Sequence, residues 1–164
     1  VVNGGVPMNM RTLDVTAPGP VRDRITDISA MIDATGDLSR FAARGGRMIW
    51  LHGHDDSSVS PLENRRNVQA VMARVGQAQA DGFLRYFEIP GLAHGGGRFS
   101  PQWESLAALD RWVEEGVAPD SAVITDGTAS ETRGRTRPLC RFPSWPRYAG
   151  GDPNSAASFA CVAE

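Results

Sequence analysis

Residues 47–97, RMIWLHGHDDSSVSPLENRRNVQAVMARVGQAQADGFLRYFEIPGLAHGGG, carry the reading of the fold. Arg47–Leu51 is a short apolar run with the length and composition of a buried parallel strand. Ser60, Pro61 and Glu63 then predict a helix start. The Ser hydroxyl can accept from an orphan amide, Pro needs no donor at the first helical position, and Glu completes a capping box. Val68, Val71, Met72 and Val75 recur at i, i+3, i+4 and i+7, and Gly76 ends the pattern. Phe83–Ile89, rich in aromatic and branched residues, reads as the next strand, stopped by Pro90 and Gly91. Strand, loop, helix and strand in that order predict two parallel neighbours, with both following loops at their carboxyl ends. Open α/β sheets place their chemistry there.

The pattern extends in both directions. Asp37 can cap a short helix with Leu38, Phe41 and Ala42 on one face, stopped by Gly45 and Gly46. Ser100 and Pro101 predict a further helix, with Trp103, Leu106, Leu109 and Val113 on its buried side and Gly116 at its end. Ile25, Ile28 and Ile32 can share a helical face, whereas residues 1–20 read as connector. Residues 133–164 combine Pro, Gly, aromatic residues and both cysteines. They are too long and too apolar for a free tail, so they are expected to wrap back over the domain and bury Phe142, Trp145 and Tyr148.

Composition narrows the functional classes. A chain of 164 residues fits one domain, and 41% hydrophobic with 22% charged residues is a globular balance. The net charge is −2 and every basic residue is Arg, scattered along the length, which gives no pull toward nucleic acid or an anionic membrane. No apolar run approaches the ~18 residues that span a bilayer. Residues 1–10 carry neither a signal-peptide pattern nor an initiator Met, so the chain is expected to be a fragment or a processed subunit of a longer protein.

Histidine is scarce, at 52, 54 and 94. His94 sits in the Gly-rich loop after the second strand, where an imidazole can reach a reacting group; a surface His without a role is the alternative. Asp55 and Asp56 sit in the loop after the first strand. A carboxylate and a His on successive loops can form the orienting pair of a hydrolytic triad, although Asp pairs are more often solvated turn formers. A zinc site from His52, Asp55 or Asp56, and His94 has donors of the right type, but the HExxH and CxxC spacings are absent and no metal is assigned. No Ser or Cys sits in a Gly-x-Ser-x-Gly elbow, so the nucleophile of such a triad is expected upstream. By number alone, Cys140 and Cys161 read equally well as a disulfide or as two thiols.

Five runs together resemble the tannase and feruloyl esterase family: Asp37–Gly53, Ile89–His94, Asp110–Asp120, Thr136–Cys140 and Gly151–Cys161. The resemblance implies an α/β fold, the C-terminal portion of an α/β-hydrolase, with parallel strands, flanking helices and a loop-rich, disulfide-stapled C-terminal segment. Residues 1–36 would return from a lid, 37–132 would form part of the core, and 133–164 would be the wrapping tail. It implies a serine hydrolase of aromatic-acid esters such as gallates or ferulates. Asp56 takes the acid position because two residues separate it from the His-Gly pair, and His94 takes that of the base. The family usually carries Cys directly after the catalytic His, bridged to a Cys before the nucleophilic Ser; here that position is Gly95. Cys140 and Cys161 match family cysteines, which implies a bridge and hence a secreted or periplasmic enzyme. No cofactor is implied in this chain, since the calcium that the family lid can hold would lie outside it. The implied partners are an aromatic ester and the N-terminal remainder of the hydrolase, in the same or a separate chain. The contrasting reading is a non-catalytic α/β scaffold or processed subunit that binds an aromatic ligand or a partner chain.

Overall fold

A computed structural model describes residues 4–32, 37–128 and 132–163. The chain divides into two compact units, Val1–Thr35 and Gly36–Glu164. The expected boundary at residue 36 falls among residues outside this description. In the first unit, helix α1 (Pro20–Ile32) starts on Pro. Ile25 and Ile28 are partly covered, whereas Ile32 is exposed.

The second unit begins with helix α2 (Ser39–Ala43), preceded by Asp37, whose Oδ1 accepts from the Ser39 amide and hydroxyl. Strand β1 (Met48–Gly53) leads to helix α3 (Pro61–Val75), helix α4 (Gln77–Phe83) and strand β2 (Leu84–Ile89). The two strands pair in parallel, Met48 opposite Leu84 through Gly53 opposite Ile89. Ser60 Oγ accepts from the Glu63 amide at 3.4 Å, the expected cap. Val68 and Val71 are fully buried, with Met72 and Val75 packed beside them. Gly76 ends α3 with φ +85°, but α4 follows at once and the second strand starts one residue later than expected.

Strand β2 is buried from end to end, and its pleat divides the core. Leu84 and Tyr86 join Val68, Val71, Ala80 and Phe83 in one cluster. Phe87 and Ile89 join Phe99, Ile124 and Leu139 in the other.

Downstream, two expectations change. Ser100 and Pro101 do not open a helix. Pro101–Gln102 is a short strand, β3, antiparallel to β4 (Ala122–Asp126), and helix α5 spans Ser105–Glu115. Burial of Phe99 and donation from the Ser100 amide to Asp126 Oδ1 hold this stretch extended. The inner face of α5 is consequently Ala108 and Trp112, while Leu106 and Val113 are 78% and 55% exposed. Trp112 receives the Arg85 guanidinium 4.7 Å from its ring centroid, a cation–π contact that replaces aliphatic packing.

The C-terminal segment is more regular than its composition implies. β5 (Thr136–Leu139) pairs antiparallel with β4, and β6 (Ser144–Tyr148) with β7 (Phe159–Ala163). Cys140 and Cys161 form a disulfide, Cα atoms 5.4 Å apart. Phe142 packs edge-on to Tyr86, and Trp145 edge-on to His54. Tyr148 departs from expectation: it is 51% exposed, its hydroxyl donating to the Gly151 carbonyl. Among the described residues, no helix is long and apolar enough to cross a membrane.

Candidate active site

The loops after β1 and β2 leave the sheet side by side because parallel pairing ends both strands at the same level. Backbone bonds join them: the His54 amide donates to the Ile89 carbonyl and the Asp55 amide to the Leu92 carbonyl, both at 3.0 Å. Gly53 permits this approach, since a Cβ there would lie 2.4 Å from the Leu92 carbonyl oxygen. Gly53→Ala is therefore expected to cost about 2 kcal/mol. Urea unfolding checks this, and a loss below about 0.5 kcal/mol would show that the loops separate freely.

The second loop folds on itself. The Ala93 amide donates to the Gly96 carbonyl, and Leu92 bridges to Gly97. This presents His94 outward, its side chain 65% exposed, with Nδ1 3.1 Å from Asp56 Oδ2. Gly95, the position of the family Cys, has φ +76° in open space, a conformation that any side chain strains.

Asp56 is 8% exposed. Its Oδ1 accepts from the amides of Ser58 and Val59 at 2.8 and 2.9 Å. The Val59 bond, joined by Ser58 and His94, overcomes burial and holds the carboxyl at a pKa of about 2. Asp56 is thus an anion at neutral pH. Asp55 is exposed, and its carboxylate makes no ion pair with His94. His52 Nε2 lies 3.2 Å from the Val59 carbonyl, so that ring closes its own loop.

A second polar cluster was not foreseen. Glu88, buried on β2, receives both Nε and a terminal nitrogen of Arg65 at 2.6 Å. The Tyr86 hydroxyl also donates to it at 2.9 Å, and Asn64 donates to Tyr86 at 3.1 Å. His54 Nδ1 is 3.7 Å from Glu88, and its ring lies 5.1 Å from that of Trp145. Burial pushes the Glu88 carboxyl up, but Arg65 and Tyr86 outweigh it and leave the pKa below the usual range. Burial, then Glu88, raises Tyr86. The cluster anchors the first loop two residues before Asp56 and the strand that carries the second. Its sequence signal was two charged residues, Arg85 and Glu88, within a buried strand.

The sequence profile of the family described as tannase and feruloyl esterase matches residues 2–162. An uncharacterized esterase of Agrobacterium fabrum is 52% identical over 158 residues, covering 95% of this chain and 29% of that protein. Mono(2-hydroxyethyl) terephthalate hydrolase of Piscinibacter sakaiensis is 41% identical over 133 residues, covering 77% of this chain and 21% of that protein. The crystal structure of feruloyl esterase B from Aspergillus oryzae superposes with a TM-score of 0.75 at 26% identity, covering 92% of this chain and 34% of that one. The architecture is accordingly of the α/β-hydrolase type. The chain spans about a fifth to a third of the length of these relatives.

Proposed function

The chain belongs to the tannase and feruloyl esterase family, and on that premise we propose that it supplies the acid and base of a serine esterase acting on aromatic-acid esters. The observation that carries this reading is the His94–Asp56 pair, joined at 3.1 Å across two loops at the carboxyl ends of parallel strands. An ionised Asp56 favours the proton on Nδ1, which leaves the Nε2 lone pair free on an exposed ring. Nε2 takes the proton of a Ser hydroxyl as the oxygen attacks the ester carbonyl. The resulting imidazolium, stabilised by Asp56, returns that proton to the departing alcohol. Water then repeats the sequence on the acyl-enzyme and releases the aromatic acid.

The Ser belongs to sequence outside this chain, in the same polypeptide or a partner. Two features support that part of the reading. No Gly-x-Ser-x-Gly elbow occurs in the 164 residues. Among the described residues, β1 pairs with β2 alone, which leaves its other edge open to a further strand. The Cys140–Cys161 bridge supports placement in an oxidising compartment, secreted or periplasmic.

The test is the structure and activity of the complete protein. A Ser hydroxyl is expected roughly 2.6–3.2 Å from His94 Nε2, with hydrolysis of methyl ferulate or methyl gallate. A His94 ring facing no hydroxyl, together with no turnover of either ester, would refute the proposal.

A further inference from the structure

Beside the two loops lies a cavity of about 350 Å3, within the size range of small-molecule pockets. Ile89, Phe99, Ile124 and Leu139 give it an apolar lining, and Trp145 and Phe159 add aromatic surface. Three arginines also line it, Arg98, Arg135 and Arg137. They are not equivalent. Arg135 is committed: its Nε lies 2.7 Å from the buried Asp126 carboxylate, and it also donates to the Arg98 carbonyl. Arg137 donates to the neighbouring Thr136 carbonyl, and its guanidinium stacks 4.2 Å from the Phe159 ring centroid. Neither Arg98 nor Arg137 forms an ion pair among the described residues.

The acidic residues at the cavity do not offset them. Glu88 is neutralised by Arg65, which leaves Asp55 against two guanidinium groups, Arg98 and Arg137, that have no ion pair among the described residues. Burial, followed by the charge of Arg135, draws Arg137 below its usual pKa, with Asp126 and Asp152 opposing. An anion beside Arg137 would relieve that repulsion. Flat apolar walls with a cationic lining suit a ligand that has a planar ring and one negative group. A guanidinium favours a carboxylate there through paired N–H donors.

We infer that this cavity binds a planar aromatic carboxylate, its ring against Trp145 and the apolar lining and its carboxylate on Arg98 and Arg137. The ligand chemistry rests on the cavity alone. That such an acid is also what aromatic ester hydrolysis releases rests on the function proposed above. Pro90 and Gly91, at the root of the His94 loop, line the same cavity, as does Asp55 next to Asp56. A bound acid would therefore lie against the backbone of both catalytic loops.

The experiment is calorimetric titration of the complete protein carrying His94→Ala with benzoate, benzamide and acetate, so that no turnover intrudes. Benzoate is expected to bind, benzamide at least tenfold more weakly, and acetate not measurably. Arg98→Gln and Arg137→Gln should each weaken benzoate at least tenfold, and Arg98, being exposed, can be changed without risk to folding. With His94 intact, both variants should hydrolyse p-nitrophenyl acetate at the unaltered rate. Equal binding of benzoate and benzamide, no binding of benzoate, or benzoate affinity unchanged in both variants would overturn the inference. So would loss of benzoate binding after covalent capping of the nucleophile, since the acid would then occupy the catalytic cleft. Hydrolysis with no benzoate binding refutes the cavity alone, and benzoate binding with no hydrolysis in the His94-intact protein refutes the esterase reading alone.

Discussion

His94→Ala in the complete protein is expected to lower kcat/KM for an aromatic ester by about 10^4-fold, the scale on which triads fail when one member is removed. The fold should be indifferent. The ring is 65% exposed and, among the described residues, its hydrogen bond is to Asp56 alone, so stability should stay within about 0.5 kcal/mol of the parent. Asp56→Asn should lose activity on the same scale for a different reason. The amide can still accept from Ser58 and Val59 through one oxygen, but its nitrogen turned toward His94 favours the tautomer with the proton on Nε2, which cannot act as base. Asp55→Asn, one residue away, should leave kcat within about twofold, because among the described residues the imidazole's ion pair is with Asp56 and not with Asp55. Activity within tenfold of the parent in His94→Ala would end the triad reading. A large loss in Asp55→Asn would shift the acid assignment.

How much of this was legible in the sequence depends on the range of the signal. The β1–α3–β2 unit was readable because each of its cues is local: an apolar run, a Ser-Pro-x-Glu cap, a period of 3.6 and a Gly stop. The meeting of a first-loop carboxylate with His94 followed from the same unit, since parallel strands in register put both loops at one end; the choice of Asp56 over Asp55 came from the family resemblance and not from that geometry. Failures began where a distant partner decides. Ser100-Pro101 looks like a helix start by itself, but Asp126, 26 residues later, captures the Ser100 amide and the helix begins at Ser105. The face of α5 then turned with its start, so that Trp112 stacks on Arg85 and Val113 points out. The strands in the C-terminal segment were not legible because Pro138 and Pro146 interrupt β5 and β6, and the pairing of all three strands depends on neighbours fixed elsewhere. The Arg65–Glu88 bridge joins residues 23 apart, a spacing with no periodicity to betray it.

Removing the Cys140–Cys161 bridge, as the double Ala variant or by reduction, is expected to cost about 3 kcal/mol in urea unfolding. The cross-link closes a sequence separation of 21 residues, and in the chain-entropy model a loop of that size, once freed, enlarges the unfolded ensemble by about that amount. What the bridge secures is specific. It joins the end of β5 to β7, and β7 carries β6 with Trp145 on it. Trp145 in turn packs on His54, which belongs to the loop after β1 that carries Asp56. Loss of the bridge should therefore redshift Trp145 fluorescence and increase proteolysis near residues 144–163 before the β1–α3–β2 core opens. A stability change below about 1 kcal/mol would mean that the strand pairs hold the segment unaided. The same bond bears on compartment. Described free cysteines are absent, so protein taken from its native compartment and unfolded without reductant should show no titratable thiol. Two thiols per chain would place the protein in a reducing environment and overturn the secreted or periplasmic assignment. Their absence would fit the proposed oxidising compartment, in which the covalent closure of the C-terminal segment is maintained.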